Sequence, residues 1–409
     1  MTVPRQGVPA GVVWCFDEFE LDTARYELRG NGTAIRIEPQ VFDVLTQLVG
    51  HRDRLVTKEE LFDTVWGGRF VGEAALTSRI KAARRALGDD GESQRYIRTV
   101  RGRGYQFVGT VVTPDTAPSA PLEPPAEAAP IPRQSIAFTR AADGVRLAYA
   151  VAGHGEPLVR AANWMTHLGY DIESPVWKHW VRDLAAQHTF IRYDERGCGL
   201  SDWEAGEFTF DDWVRDLESV VEAVGLQQFP LLGVSQGGAV AVAYAARHPD
   251  RVTKLVLCGA YARGRAVRAV GDEEKRAAAL DLDLARVGWG RDDPVFRQVF
   301  AAQFLPDGTR ADWAAFDQLQ RRTTSPENAV RFLQEFARID VRDEAMAVRC
   351  PALIMHSRDD HRVPMQSGQE LAALIPDSRL VALDSKNHLL TADEPAWPVF
   401  CDEVAAFLA

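Results

Sequence analysis

The chain has no cysteine pairing pattern and no long apolar run. Its five cysteines, Cys15, Cys198, Cys258, Cys350 and Cys401, are scattered through 409 residues without a CxxC spacing. Reduced thiols are the simplest reading, and a structural metal site is not expected. No apolar stretch approaches the roughly 20 residues that a membrane helix needs, so no membrane partner is expected. The opening MTVPRQGVPAGVVW lacks an apolar segment followed by a cleavage site, which argues against secretion and for the cytoplasm. A P-loop, a GxGxxG after a strand and metal-ligand spacings are all missing, so no cofactor is expected.

What is there divides unevenly. The net charge of −11 excludes a chain coated throughout for nucleic acid, but its distribution matters more than its sum. Residues 1–113 hold 16 Lys+Arg against 15 Asp+Glu, whereas the remainder holds 31 against 43. Within residues 77–103 there are 8 basic and 3 acidic residues, a local basic patch. A length of 409 residues exceeds one ordinary core, which predicts two domains. The boundary is PDTAPSAPLEPPAEAAPIP, residues 114–132, with seven prolines and five alanines. It holds almost no large apolar residue and reads as an extended, semi-rigid spacer between domains at 12–113 and 133–409.

Before the spacer the expected strands are WCFDEFELD, RYELRG and TAIRI, with Asn31-Gly32 as a hairpin turn between the last two. Three helical segments follow. EPQVFDVLTQLVGH carries Val41, Val44, Leu45 and Leu48 at helical spacing. TKEELFDTVWG opens on Thr57 with Glu60 three residues later, a capping box. EAALTSRIKAARRALG sets Leu76, Ile80, Ala83 and Leu87 on one face and stops at Gly88. RYIRTVRGRGYQFVGT then reads as a hairpin with a glycine-punctuated tip. Opposite the apolar stripe of the third helix stand Ser78, Lys81, Ala82 and Arg85, flanked by Arg79 and Arg84. Such a face can enter a major groove, and Arg98, Arg101 and Arg103 around the tip can meet phosphates or the minor groove. The order of elements, with LVTKEELFDTVWG, LTSRIKAARRALGDDG and YIRTVRGRGYQFVG, resembles the OmpR/PhoB-type winged-helix DNA-binding domain over about Cys15 to Thr110. The resemblance implies an α+β winged helix-turn-helix that binds double-stranded DNA. It carries the recognition-helix contacts onto Arg79 and Lys81 and the wing contacts onto Thr99 and Arg101. Ala82 departs from it, standing where the family often has a second arginine. No receiver-like segment precedes the domain, so control by aspartyl phosphorylation in this chain is not expected.

After the spacer, strands alternate with helices, the mark of a parallel sheet covered on both faces. The strand candidates are PLVRAAN, HTFIRYD, FPLLGV, KLVLCG, ALIMHS and SRLVALD. Between about residues 261 and 345 the alternation stops in favour of aromatic-rich helix, which reads as an inserted lid. Gly233-Val234-Ser235-Gln236-Gly237 fits G-x-S-x-G, with a strand before it and the helix GAVAVAYAARHP after it. A serine nucleophile needs a base and the base an orienting acid, in chain order Ser, Asp, His. Asp359 and Asp360 follow one strand, and His388 follows the next. An oxyanion hole needs two backbone N–H groups, expected from Gln236 and from Trp164.

These features, with YDERGCGLSDW, resemble the α/β-hydrolase superfamily over about residues 135–409. Asp194, Arg196, Gly197, Gly199 and Ser201 match its structural D-x-R-G-x-G-x-S turn, in which Cys198 reads as a small buried filler. The resemblance favours Asp360 as the acid, four residues before Pro364 as in the family's D-x-x-x-P, with Asp359 as the alternative. It also marks a departure: Asn163-Trp164 stands where His-Gly is usual. Trp164, Trp177, Trp180 and the lid aromatics suit a pocket for an ester, lactone or amide with an apolar body. The expected function is a DNA-binding transcriptional regulator that senses, and in some form hydrolyses, such a ligand, working as a homodimer on DNA. The alternatives are an esterase-like serine hydrolase with an accessory DNA-binding domain, or a catalytically silent hydrolase-fold receptor.

Overall fold

A computed structural model of the chain describes residues 13–23, 25–31, 33–66, 73–100, 102–111, 132–206, 208–289, 291 and 294–409. The chain separates into two units, Met1–Pro125 and Ala126–Ala409. Apart from Pro132, the proline-rich segment lies outside the described residues, as do Gly32 of the expected turn and Arg101.

In the first unit, β1 (Val13–Phe16), β2 (Phe19–Asp22), β3 (Glu27–Gly30) and β4 (Thr33–Ile35) form an antiparallel sheet in chain order. The one strand expected over WCFDEFELD is two, because Asp17 takes a left-handed φ of 46° and the chain doubles back on itself. Helix α1 (Pro39–Gly50) begins on a proline, whose missing N–H costs nothing at a helix start, and buries Val41, Val44, Leu45 and Leu48. β5 (Val56–Thr57) runs into α2 (Lys58–Trp66). The capping box closes there: the Glu60 N–H donates to Thr57 Oγ1 at 3.2 Å, and the Thr57 N–H donates to Glu60 Oε2 at 2.8 Å. α3 (Glu73–Ala86) lays Leu76, Ile80 and Ala83 into the core. β6 (Ile97–Val100) and β7 (Gly104–Phe107) form the hairpin, and β7 also pairs with β5. Any Cβ at Gly104 would stand 2.1 Å from the Val56 carbonyl oxygen, so this crossing admits only glycine.

The second unit is built on eight strands: β8 (Gln134–Arg140), β9 (Arg146–Ala152), β10 (Pro157–Ala161), β11 (Thr189–Tyr193), β12 (Phe229–Val234), β13 (Val252–Cys258), β14 (Ala352–Ser357) and β15 (Ser378–Leu383). Their order is β15-β14-β13-β12-β10-β11-β9-β8, parallel throughout except where β9 pairs with β8 and β11. The β8–β9 hairpin is absent from the strands expected from sequence. It turns at Asp143-Gly144, a dipeptide that signals a tight turn, but β8 is an edge strand whose side chains are mostly exposed. Six short connecting or covering helices follow the sheet strands: α4 (Leu168–Asp171), α5 (Lys178–Gln187), α6 (Phe210–Val224) and α7 (Gln236–Arg247) before β13, and α14 (Met365–Leu374) and α15 (Ala396–Leu408) after β14. Between β13 and β14 the chain is helical: α8 (Arg265–Arg268), α9 (Asp272–Gly288), α10 (Pro294–Phe304), α11 (Arg310–Thr323), α12 (Pro326–Arg338) and α13 (Arg342–Ala347). Central strands are buried on both faces, as in all six residues of β14, which is why they read in sequence as near-continuous apolar runs.

Candidate active site and nucleic-acid face

β12 delivers Ser235 to the carboxyl edge of the sheet, and α7 leaves it at once. Ser235 has φ 53° and ψ −126°, a conformation strained for any residue with a side chain. The turn holds because its neighbours are small. A Cβ on Gly233 would lie 2.5 Å from the Gly238 Cα, and one on Gly238 would lie 2.3 Å from the Ala260 Cβ. The Ser235 N–H donates to the Cys258 carbonyl at 2.9 Å, tying the turn to β13.

His388, on the loop after β15, stands with its Nε2 2.8 Å from Ser235 Oγ. Its Nδ1 is 2.7 Å from Asp360 Oδ2. Since a carboxylate only accepts, Nδ1 carries the hydrogen and Nε2 faces the serine hydroxyl as acceptor. Asp360 Oδ1 accepts the backbone N–H groups of Arg362 and Val363 at 2.8 and 2.9 Å. Burial alone would raise the Asp360 pKa; the charge and hydrogen bond of His388 and the Val363 N–H outweigh it and hold it below its ordinary value. Of the two aspartates, Asp360 reaches the histidine, whereas the side chain of Asp359 is exposed. Helix α10 closes over the histidine, its Phe304 carbonyl accepting the His388 N–H at 2.9 Å.

Gln236 opens α7, so its backbone N–H is among the first-turn donors that have no acceptor within the helix. Trp164 is arranged differently from a free donor. Its N–H donates to the Gln236 side-chain oxygen at 3.1 Å, and the Gln236 amide in turn donates to Glu195 at 2.5 Å. Glu195 is buried, and desolvation pushes its pKa up to about 8, against the hydrogen bond from Gln236. Burial therefore favours its protonated form. Nothing in the sequence marks Glu195, which lies inside the D-x-R-G-x-G-x-S turn. At the departure from His-Gly, Asn163 accepts from the buried guanidinium of Arg160, which lies 4.1 Å over the Trp177 ring. The Trp164 ring stacks on Trp289 of the segment after α9, with centroids 5.1 Å apart.

Ser235 faces a pocket of about 740 Å³, mouth included. Trp164, Met165, Leu282, Phe304, Leu333 and Phe336 supply apolar walls, while Arg265, Arg268, Asp281 and Arg362 supply charge. Cys198 is fully buried behind the site, with its thiol pushed well up by burial, which fits a filler.

In the first unit, Ser78, Lys81 and Arg85 of α3 and Arg103 of the hairpin are exposed, as is Arg98. Two expected DNA contacts are occupied within the domain. Arg79 pairs with Glu38 at 2.8 Å and donates to Gln40 at 3.1 Å, which turns it toward the start of α1. The Thr99 hydroxyl accepts from Arg84 at 2.9 Å. Arg84 itself is buried and donates to the Ile97 carbonyl at 2.6 Å, so it is a strut between α3 and β6 and not a flank of the outer face.

Two family patterns match the chain. The alpha/beta hydrolase fold pattern matches residues 167–395, and that of the transcriptional regulatory protein, C terminal, matches residues 32–107. Among curated proteins, a putative carbamate hydrolase RutD of Azorhizobium caulinodans is 25% identical over 250 residues, covering 61% of this chain and 90% of the relative. A non-heme haloperoxidase of Rhodococcus erythropolis is 28% identical, with 61% and 92% covered. The solved structure of the esterase RhEst1 from Rhodococcus sp. ECU1013 is similar at a TM-score of 0.53 and 27% identity, covering 67% of this chain and 98% of its own. Among the described residues, no helix is long and apolar enough to cross a membrane.

Proposed function

Because the chain belongs to the alpha/beta hydrolase fold family through residues 167–395 and carries a transcriptional regulatory C-terminal domain at residues 32–107, we propose that it is a DNA-binding regulator whose second domain binds and hydrolyses a small ester, lactone or amide. The observation that carries the hydrolytic half is the unbroken chain of hydrogen bonds Ser235–His388–Asp360, at 2.8 and 2.7 Å, on the wall of an apolar pocket.

In this reading Ser235 is the nucleophile, His388 the general base and Asp360 the group that fixes the imidazole tautomer. Ser235 Oγ attacks the acyl carbon as its proton passes to His388 Nε2. The carbonyl oxygen becomes an oxyanion beside the N–H groups of Gln236 and Trp164. The imidazolium then protonates the leaving oxygen or nitrogen, the acyl bond to it breaks, and an acyl-serine remains. Water attacks that ester while His388 takes its proton. The acid leaves, and Ser235 recovers its hydrogen from His388. In a lactone the leaving hydroxyl stays on the same molecule. Asp360 keeps its negative charge beside the imidazolium throughout, consistent with its lowered pKa.

The DNA half rests on the family match and on the exposed Lys81, Arg85, Arg98 and Arg103. α3 serves as the recognition helix, with Ser78 beside Lys81, and the β6–β7 hairpin as the wing. One such module makes a small interface, so two copies on neighbouring half-sites are the working form. Such a role belongs in the cytoplasm, beside the chromosome.

One observation favours a second reading, a receptor without turnover: the Trp164 N–H donates to Gln236 and must be released to meet an oxyanion. A fluorophosphonate probe on the folded full chain separates the two. Labelling of Ser235, absent from Ser235→Ala, together with turnover of an ester and lactone panel that this variant lowers by about 10³-fold or more, supports the hydrolase. Ligand binding without labelling establishes the receptor.

A further inference from the structure

The pocket beside Ser235 is apolar over most of its wall, yet three guanidinium groups line it. Arg265 and Arg268 come from α8, and Arg362 comes from the loop after β14. One carboxylate in the wall answers them. Asp281 of α9 accepts from Arg265 and, at 2.6 Å, from Arg362, which also donates to Gln303 at 2.7 Å. Two of the three arginines are thus tied to the same acid.

Arg268 is not. Among the described residues no carboxylate lies within ion-pair distance of it. Its Nη1 donates to the Arg263 carbonyl at 3.1 Å, and its guanidinium carbon is 5.7 Å from the Tyr261 ring centroid. Desolvation pulls its pKa below the ordinary arginine value; Tyr261 and, least of all, the more distant Asp360 oppose the fall, and Arg362 and Arg265 add to it. A partly buried cation beside two others and without a paired carboxylate is costly to hold in the pocket wall. A ligand carboxylate would relieve it. The guanidinium presents a planar fork of donors that matches a carboxylate, and such charged hydrogen bonds are about twice as strong as neutral ones.

We propose that the pocket takes an anionic acyl compound, a half-ester or lactone acid, with its carboxylate at Arg268 and its acyl carbon at Ser235. This rests on the same pocket being the ligand site of the proposed function. Trp164, Phe304 and Phe336, which line the same pocket, supply apolar surface for the carbon chain that joins them.

The test uses binding, so that it does not depend on turnover. The full chain as Ser235→Ala is titrated calorimetrically with the monomethyl esters of linear dicarboxylic acids from succinate to suberate, and with the corresponding neutral dimethyl esters. At the best chain length the half-ester is expected to bind about tenfold tighter or more, the lower end for a charged hydrogen bond. Arg268→Gln in the same background removes that preference, and Arg268→Lys keeps part of it. Thermal melts verify that each variant is folded; if Arg268→Gln is not, the ester preference and the lysine variant decide. The proposal is overturned if diesters bind as tightly at every length, if no half-ester saturates, or if the preference survives Arg268→Gln. Turnover by the chain with Ser235 intact is read separately. Half-ester preference without hydrolysis sinks the hydrolase reading alone, and hydrolysis of diesters without preference sinks the anion site alone.

Discussion

Asp360 uses both its oxygens, one on the His388 ring and the other on two backbone N–H groups. A carboxamide there would keep the shape but present its oxygen to only one of these neighbours. Asp360→Asn is therefore expected to lower kcat by about 10⁴-fold in the manner of a triad acid, with KM little changed, whereas Asp359→Asn stays close to the parent in steady-state assays. The reverse pattern would transfer the role to Asp359. Linkage has a definite sign here. The folded pKa of Asp360 lies below its ordinary 3.8, so its contribution to stability is present above that value and fades as the pH falls through the folded pKa. Glu195 has the opposite sign. Its folded pKa of about 8 lies above the ordinary 4.5, so the folded state holds a proton that the unfolded chain has released. Between those two values the group removes about 1.4 kcal/mol of stability per pH unit. Glu195→Gln reproduces the neutral acid and its acceptor oxygen toward Gln236. Melting curves from pH 5 to 8 should fall less steeply for this variant than for the parent; parallel curves would mean that Glu195 is ionised in the fold.

At the level of elements, α3 and the β6–β7 hairpin carry cations with opposite tasks. Lys81 points to solvent, whereas Arg84 reaches through the core edge to the Ile97 carbonyl and the Thr99 hydroxyl. Lys81→Ala is expected to weaken DNA binding with little sequence dependence and to reduce the salt slope of affinity by about 1, measured by fluorescence anisotropy over a salt series. Arg84→Ala should leave the Ile97 carbonyl short of a donor and cost the domain about 1–3 kcal/mol in denaturant titration. A slope unchanged by Lys81→Ala would remove α3 from the DNA interface. The same pair shows what sequence conveys and what it does not. Apolar patterning located α1, α3 and the strands from β10 to β15, because each element must bury a continuous face or stripe, and the Thr57–Glu60 capping box located α2. The G-x-S-x-G motif and chain order put Ser235 and His388 at strand ends, and the fold brings the two side chains to 2.8 Å. Side-chain direction was less legible. Arg79, Arg84 and Arg85 are neighbours in sequence and alike in chemistry, yet only Arg85 is left on the outer face, since Glu38, Gln40 and Ile97 arrive from other elements. Glu195, Gln236 and Trp164 meet for the same reason: two loops and the start of α7 converge at the sheet edge, and no spacing within one segment announces it. The three pocket arginines likewise assemble from α8 and a distant loop.

Across the whole molecule, each unit has its own core, and the segment that joins them has the composition of a spacer. Such a design makes regulation a question of linkage. A ligand at Ser235 alters DNA affinity only if it binds the DNA-competent state of the chain better or worse than the other. A coupling of about 1 kcal/mol would appear as about a fivefold change in affinity, and DNA must change ligand affinity by the same factor. Were the second domain to dimerise, the pairing of two DNA-binding modules would multiply their effective concentration on adjacent half-sites and supply such a coupling. The full chain, with Ser235 either free or carrying a phosphonate, should therefore differ about fivefold or more in binding a fragment from upstream of its own gene. The difference should vanish for residues 1–113 alone, which keep the DNA-binding elements without the serine. Reciprocity supplies the check: titrating Ser235→Ala with ligand, in the presence and absence of that fragment, must return the same factor. A factor of one in both directions would separate the two activities, leaving a hydrolase that DNA localises but does not control.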